Sequence, residues 1–252
     1  KDVLHGTVHM EIYKSSITGR YRNCGIYTPP GYEKNTDKRY PVFYMQHGGG
    51  ENETGWLWHG KINYIMDNLI YEGRCKEMII VMNCGYNLQS VGENRFILQD
   101  IGDVISKDCV PMIDEKYRTI NSRDYRAIAG LSFGSLHART TAFENLGLFS
   151  ALGIFSGGFS YKSNDTAFVI DGLWDYDYSD TFASAETFNE KMHLRFIGMG
   201  DQEKEMVEES KPKAEKLISQ GYNIVCKTYP GYHEWDVWRK CATDMLELLF
   251  KW

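Results

Sequence analysis

The sequence predicts an α/β architecture: a mostly parallel central sheet of about eight strands with helices on both faces. Three observations lead there. Short β-branched and aromatic runs alternate with helical stretches along most of the chain, as βα units do. The runs VFYM at 42–45 and MIIVM at 78–82 show no polar alternation, the mark of strands covered on both faces. Finally, 252 residues with 42% hydrophobic side chains can bury one sizeable core, and they far exceed a mini-protein stapled by disulfides.

Strands are expected at 8–13 and 22–28, which form an antiparallel opening hairpin, and then at 42–46, 78–82, 125–130, 151–155, 194–198 and 224–228. Helices fit at 62–72, 99–116, 136–144, 205–220 and 235–250. The helix from 205 starts acidic and stops at Gly221, as dipole and C-cap chemistry favour. Pro212 inside it leaves open a fresh start near Ser210, since proline suits a first turn. No repeat, linker or low-complexity segment breaks the pattern, so 1–252 reads as one domain. The exception is 160–190, where Asp171, Asp175, Asp177 and Asp180 interleave with aromatic residues; it reads as an insertion.

Composition removes several classes of function. The net charge is −6 and no basic run occurs, so a nucleic-acid partner has no electrostatic footprint. Apolar stretches such as 78–82 fall far short of the roughly 18 residues that a spanning helix needs, so no membrane partner is expected. The six cysteines form no CxxC pair and none stands close to a histidine, which argues against a structural zinc. They read as mostly buried thiols, with one or two disulfides as the alternative. A start at Lys1 without methionine or apolar leader suggests a processed protein or an excised domain. Aromatic residues make up 14% of the chain, and Phe155, Phe159, Tyr161, Phe168, Trp174, Tyr176, Tyr178 and Phe182 double that density over 155–182.

One motif carries chemistry. Gly130-Leu131-Ser132-Phe133-Gly134 is a GxSxG sequence directly after an expected buried strand and directly before an expected helix, the setting of a nucleophile elbow. Glycines permit the strained turn without Cβ clashes, and Ser132 Oγ then stands at the carboxyl end of the sheet. In an α/β-hydrolase the acid and then the histidine follow the serine in the chain. Of the seven histidines, His5, His9, His47 and His59 precede Ser132, His137 lies on the elbow helix and His193 opens a strand. His233 sits in the loop between the last strand and the last helix, where a base can reach over the sheet edge. The acid should follow the strand at 194–198, where Glu203 and Asp201 both stand. An oxyanion needs two N–H donors. These are expected from Phe133, the residue after the nucleophile, and from Gly49 in the HGGG turn at 47–50. A P-loop fails, because no Lys-Ser/Thr follows those glycines.

Together Tyr27-Thr28-Pro29-Pro30-Gly31-Tyr32, His47-Gly48-Gly49-Gly50, the GxSxG sequence, Phe155-Ser156-Gly157-Gly158 and His233-Glu234-Trp235 resemble, in order and spacing, the esterase D-like α/β-hydrolases. They look most like carbohydrate esterases of family one, the feruloyl and acetylxylan esterases. The resemblance implies a secreted, metal-free serine esterase with no cofactor, Ser132 as nucleophile and His233 as base. In many members the acid is an Asp three residues after a glycine past the strand; counted from Gly200 that position is Glu203, with Asp201 off that register. The expected partner is feruloylated arabinoxylan or its oligosaccharides, and carbohydrate-binding or scaffold-docking modules would fit a longer parent. The insertion stands where such hydrolases carry a cap. Phe168, Trp174, Tyr176, Tyr178 and Phe182, with Trp235 and Trp56, are therefore expected to shape a pocket for a phenolic acyl group or its sugar. Alternative readings are an acetylxylan or other short-acyl esterase, a cytoplasmic thioester hydrolase, and a carbohydrate-binding relative that has lost catalysis. The sequons at Asn52 and Asn164 are compatible with secretion.

Overall fold

Most of the strands form where β-branched and aromatic residues cluster. In a computed structural model, which describes residues 2–86, 89–90, 96–97, 101–160 and 177–252, the strands are β1 (Thr7–Lys14), β2 (Tyr21–Thr28), β3 (Val42–Gln46), β4 (Ile79–Asn83), β5 (Gln89–Ser90), β6 (Phe96–Ile97), β7 (Arg126–Leu131), β8 (Ala151–Phe155), β9 (Leu194–Gly200) and β10 (Ile224–Tyr229). Eight of them make one sheet in the order β1-β2-β4-β3-β7-β8-β9-β10, and β5 and β6 form a separate antiparallel ladder. β1 pairs antiparallel with β2, and β2 antiparallel with β4. Every other pairing in the eight-stranded sheet is parallel.

Alternation along the buried strands divides the core into two layers. Val42 and Tyr44 of β3 face one layer, with Ile105, Ile113, Ala138 and Ala214. Phe43 and Met45 face the other, with Ile62, Met66, Val237 and Met245. The covering helices are α1 (Gly55–Trp58), α2 (Ile62–Tyr71), α3 (Ile101–Asp103), α4 (Val110–Lys116), α5 (Phe133–Glu144), α6 (Ala185–Lys191), α7 (Lys204–Ser219) and α8 (Trp235–Leu248). The helix expected over 99–116 is helical from Ile101 but passes through a π-helical turn, Val104–Cys109, between α3 and α4. α7 runs through Pro212 without restarting at Ser210. Proline removes one N–H bond there, and the residue four before it, Glu208, is on the exposed side. All six cysteines are free thiols, and no disulfide links them. Among the described residues no helix is long and apolar enough to cross a membrane.

Register brings the chemistry together. Gln46 pairs with Gly130, Leu131 with Phe155, Phe155 with Gly198 and Gly200 with Tyr229. The residues just past β3, β7, β8, β9 and β10 therefore share one edge of the sheet, the carboxyl edge where open α/β sheets place their sites.

Candidate active site

Ser132 joins β7 to α5 with φ 50° and ψ −121°, a backbone conformation that costs a non-glycine residue about 1–3 kcal/mol. The turn is fastened on both sides. Ser132 N–H donates to the Phe155 carbonyl at 2.8 Å, and the Ser132 carbonyl accepts from Ser135 N–H at 3.0 Å and Ser135 Oγ at 2.5 Å. Gly130 and Gly134 serve close approach: a Cβ on Gly130 would lie 1.9 Å from the Gly134 carbonyl oxygen, and one on Gly134 2.2 Å from the His47 carbonyl oxygen.

His233, in the loop after β10, places Nε2 2.8 Å from Ser132 Oγ and Nδ1 2.7 Å from Glu203 Oε1. A carboxylate only accepts, so Nδ1 carries the proton and Nε2 is left to accept from the Ser132 hydroxyl. Glu203 is the more enclosed of the two and His233 the more open: side-chain exposure is 8% for Glu203 and 46% for His233. Burial opposes the Glu203 charge, but hydrogen bonds from His233, Ser156 and the Gly200 N–H outweigh it and hold the carboxyl below its usual range. Asp201 is exposed and points elsewhere, accepting from Gly231 N–H at 3.2 Å and Gln202 Nε2 at 3.0 Å. Of the two carboxylates that the sequence leaves open, Glu203 is the one that meets His233.

The HGGG turn lies against the elbow. A Cβ on Gly48 would come 3.4 Å from Ser132 Cβ, and one on Gly49 4.0 Å from Phe133 Cβ, so the Gly49 and Phe133 backbones stand beside Ser132. His47 secures the turn from below, donating from Nδ1 to the Gly48 carbonyl at 2.9 Å and accepting Gly85 N–H on Nε2 at 2.8 Å. Burial lowers its pKa, which suits the neutral tautomer. Two further residues escaped sequence reasoning. Glu51 accepts Gly48 N–H at 3.1 Å and Trp235 Nε1–H at 3.0 Å. Ser156, just past β8, donates to Glu203 Oε2 at 2.6 Å. Its one sequence signal was the FSGG run.

A cavity of about 710 Å³ opens on these groups, lined by Ser132, His233, Glu203 and Ser156 with Phe133, Gly157, Met206, Gln202 and Lys204 among others. Of the aromatic residues expected to wall it, the described ones, Trp56, Tyr178, Phe182 and Trp235, are not in that lining. Trp56 is 1% exposed, donates Nε1–H to the Gln46 carbonyl at 3.0 Å and packs edge-on against Phe155 and Trp235; it is a core residue. Tyr178 and Phe182 pack on Phe143, and Phe182 continues to Phe188 and Tyr222, so both fasten their segment to the domain. Trp235 is half-buried between Trp56, His59 and Trp238. Phe168, Trp174 and Tyr176 lie outside the described residues. No group of three or more His, Cys, Asp or Glu among the described residues could hold a metal ion.

The eight-stranded sheet, with a serine on a strained turn at its carboxyl edge, defines an α/β-hydrolase fold. The chain belongs to the Esterase family, whose model matches residues 15–249. It is similar to an endo-1,4-beta-xylanase/feruloyl esterase of Xylanibacter ruminicola, 32% identical over 267 residues that cover 100% of this chain and 32% of that protein. It is also similar to endo-1,4-beta-xylanase Y of Acetivibrio thermocellus, 27% identical over 215 residues, 76% of this chain and 18% of that protein. The chain thus spans about a third or less of the length of these curated relatives. A CE1 ferulic acid esterase of Anaeromyces mucronatus, solved in complex with ferulic acid, has the same fold: TM-score 0.79, 22% identity, 99% of this chain and 93% of that one.

Proposed function

We propose that residues 1–252 form a serine esterase domain that releases feruloyl (hydroxycinnamoyl) groups from xylan. The observation that carries this reading is the unbroken line Glu203–His233–Ser132, with contacts of 2.7 and 2.8 Å, opening into a cavity of about 710 Å³. His233 takes the Ser132 proton as Oγ attacks the ester carbonyl, and Glu203 stabilises the resulting imidazolium. The Gly49 and Phe133 amides receive the oxyanion. His233 then protonates the departing sugar hydroxyl, and water, activated by the same histidine, hydrolyses the acyl-enzyme. No step calls for a cofactor.

A phenolic acyl group is supported by the cavity and by kinship. The cavity volume suits a drug-sized ligand and greatly exceeds an acetyl group, Phe133 and Met206 give it apolar wall, and the relative at 32% identity bears the name of a feruloyl esterase. The expected partner is feruloylated arabinoxylan or its oligosaccharides outside the cell, with the domain part of a longer chain. Turnover of methyl ferulate measured against acetate release from acetylated xylan tests the reading. Faster acetate release overturns the feruloyl assignment, and substantial activity in Ser132→Ala overturns the triad.

A further inference from the structure

We infer that Ser156 and Trp238 are positioning residues for the acid, holding the Glu203 carboxylate ionised and aimed at His233. The inference rests on the triad reading above.

The two Glu203 oxygens have different partners. Oε1 is given to His233, while Oε2 accepts Ser156 Oγ–H at 2.6 Å and Gly200 N–H at 2.7 Å. Trp238 decides which way the Ser156 proton points. Its indole nitrogen can only donate, and it donates to Ser156 Oγ at 2.9 Å, so the one hydroxyl proton is directed to the carboxylate. The same indole meets the His233 ring edge-on, with centroids 5.0 Å apart at 90°. Trp238 therefore braces the base with its ring and the acid through its N–H. Both residues are nearly closed to solvent, at 2% and 7% exposure, so these hydrogen bonds compete little with water.

The backbone shows that this serine is held in place. Ser156 has φ 49°, a left-handed conformation in a residue that is not glycine. Ser156 N–H donates to the Gly198 carbonyl at 2.8 Å. A Cβ on the following Gly157 would lie 1.8 Å from Ser135 Oγ, the group that bonds the Ser132 carbonyl. Two strained serine turns thus lie side by side past β7 and β8, one presenting the nucleophile and the other presenting a hydroxyl to the acid. Glycine would suit the Ser156 backbone better, and what glycine lacks is that hydroxyl.

The test exploits this preference, because Ser156→Gly removes the hydroxyl while relieving the backbone. Around Glu203 the titratable groups are His233, Lys204 and Glu205 at the cavity, Asp201 on the same turn, and the Cys241 thiol of α8; the variant leaves all of them in place. With one donor fewer, the carboxylate becomes more basic and grips the imidazolium harder, so His233 gives up its proton only at higher pH. Ser156→Gly should lower kcat on methyl ferulate about tenfold, with KM within about twofold, and move the acid limb of kcat/KM up by about half a pH unit or more. Trp238→Phe keeps the ring and loses the N–H, and should move the limb in the same direction by a smaller amount. A merely structural role would lower activity without moving the limb. Unshifted limbs in both variants overturn the inference; if Ser132→Ala is inactive at the same time, the triad stands without it. Should Ser156→Gly fail to fold by circular dichroism, the limb of Trp238→Phe decides alone.

Discussion

Glu51 and Trp235 are joined by a 3.0 Å hydrogen bond that spans 184 residues of sequence. The second oxygen of the same carboxylate accepts Gly48 N–H, so the HGGG turn, from which the proposed mechanism draws the Gly49 donor, is tied to the helix that begins two residues after His233. Glu51→Gln has a single accepting oxygen and must release one of the two donors. A misplaced donor costs far more in the transition state than in substrate binding. The expected outcome is a fall in kcat of about tenfold to a hundredfold with KM little changed, measured on methyl ferulate. Wild-type kinetics would show that the turn holds its shape unaided.

Glu203 and Asp201 make a clean pair for testing the acid. Glu203→Gln leaves an amide beside His233 Nδ1 that can orient the ring in the wrong tautomer, and kcat should fall by roughly three to four orders of magnitude. Asp201→Asn, which disturbs only contacts to Gly231 and Gln202, should stay within about twofold of wild type. The opposite ranking in steady-state assays would transfer the role of acid to Asp201.

Trp56 separates core from pocket. Wedged between Phe155 and Trp235 with its N–H on the Gln46 carbonyl, it should be needed for stability and have no direct part in substrate binding. Trp56→Ala should lose about 3–5 kcal/mol in urea unfolding. Trp56→Phe should unfold earlier than wild type while keeping its KM for methyl ferulate. A raised KM in that variant, at unchanged secondary structure, would return Trp56 to the pocket.

How far the sequence reads depends on how local each signal is. The elbow, the HGGG turn, the loop of His233 and the turn of Glu203 each sit at the end of a strand whose apolar run is visible, so strand placement brings them to one edge. Ser156 follows a strand in the same way, yet its hydroxyl has no chemistry of its own and acquires a role only when β9 brings Glu203 beside it. Glu51 and Trp235 are paired by tertiary structure alone. Aromatic density over 155–182 points to Tyr178 as pocket wall, but density records composition and not burial; its ring packs on Phe143, and Trp56, outside that stretch, is buried in the core. The π-helical turn at Val104–Cys109 has no sequence mark, since its apolar periodicity is close to that of an ordinary helix.

Acid should destabilise the fold well before the surface carboxylates protonate. His137 is buried against Phe133, and burial, aided by His47 once that ring is protonated and by the nearby Arg22 charge, pushes its pKa down from 6.5 to about 3. The sign follows from linkage: a folded pKa below the unfolded one means the unfolded chain binds the extra proton. The contribution is therefore complete above about pH 6.5 and is lost progressively as pH falls toward 3, by about 1.4 kcal/mol per pH unit. His47 acts in the same direction, and Glu203, whose pKa is lowered from 4.5, adds its own loss below that pH. Urea unfolding between pH 7 and 4 should show stability falling, and His137→Gln should flatten the slope by about one proton. An unchanged slope would remove His137 from the account.

Strain at Ser132 can be read thermodynamically, apart from any assay of activity. At φ 50° and ψ −121° a Cβ is unwelcome, so Ser132→Ala loses the hydroxyl but keeps the strain, while Ser132→Gly loses both. In ordinary backbone glycine is the less stable of the two by about 0.5–1 kcal/mol, because its unfolded chain is freer. Relief of about 1–3 kcal/mol at this turn outweighs that difference. Ser132→Gly should therefore be more stable than Ser132→Ala by about 1 kcal/mol in urea unfolding, reversing the usual order, although both are expected to be inactive. Each variant loses the same contact to His233, so the comparison isolates the backbone. If alanine proves the more stable, the turn is not strained in solution and the serine is presented without stored energy.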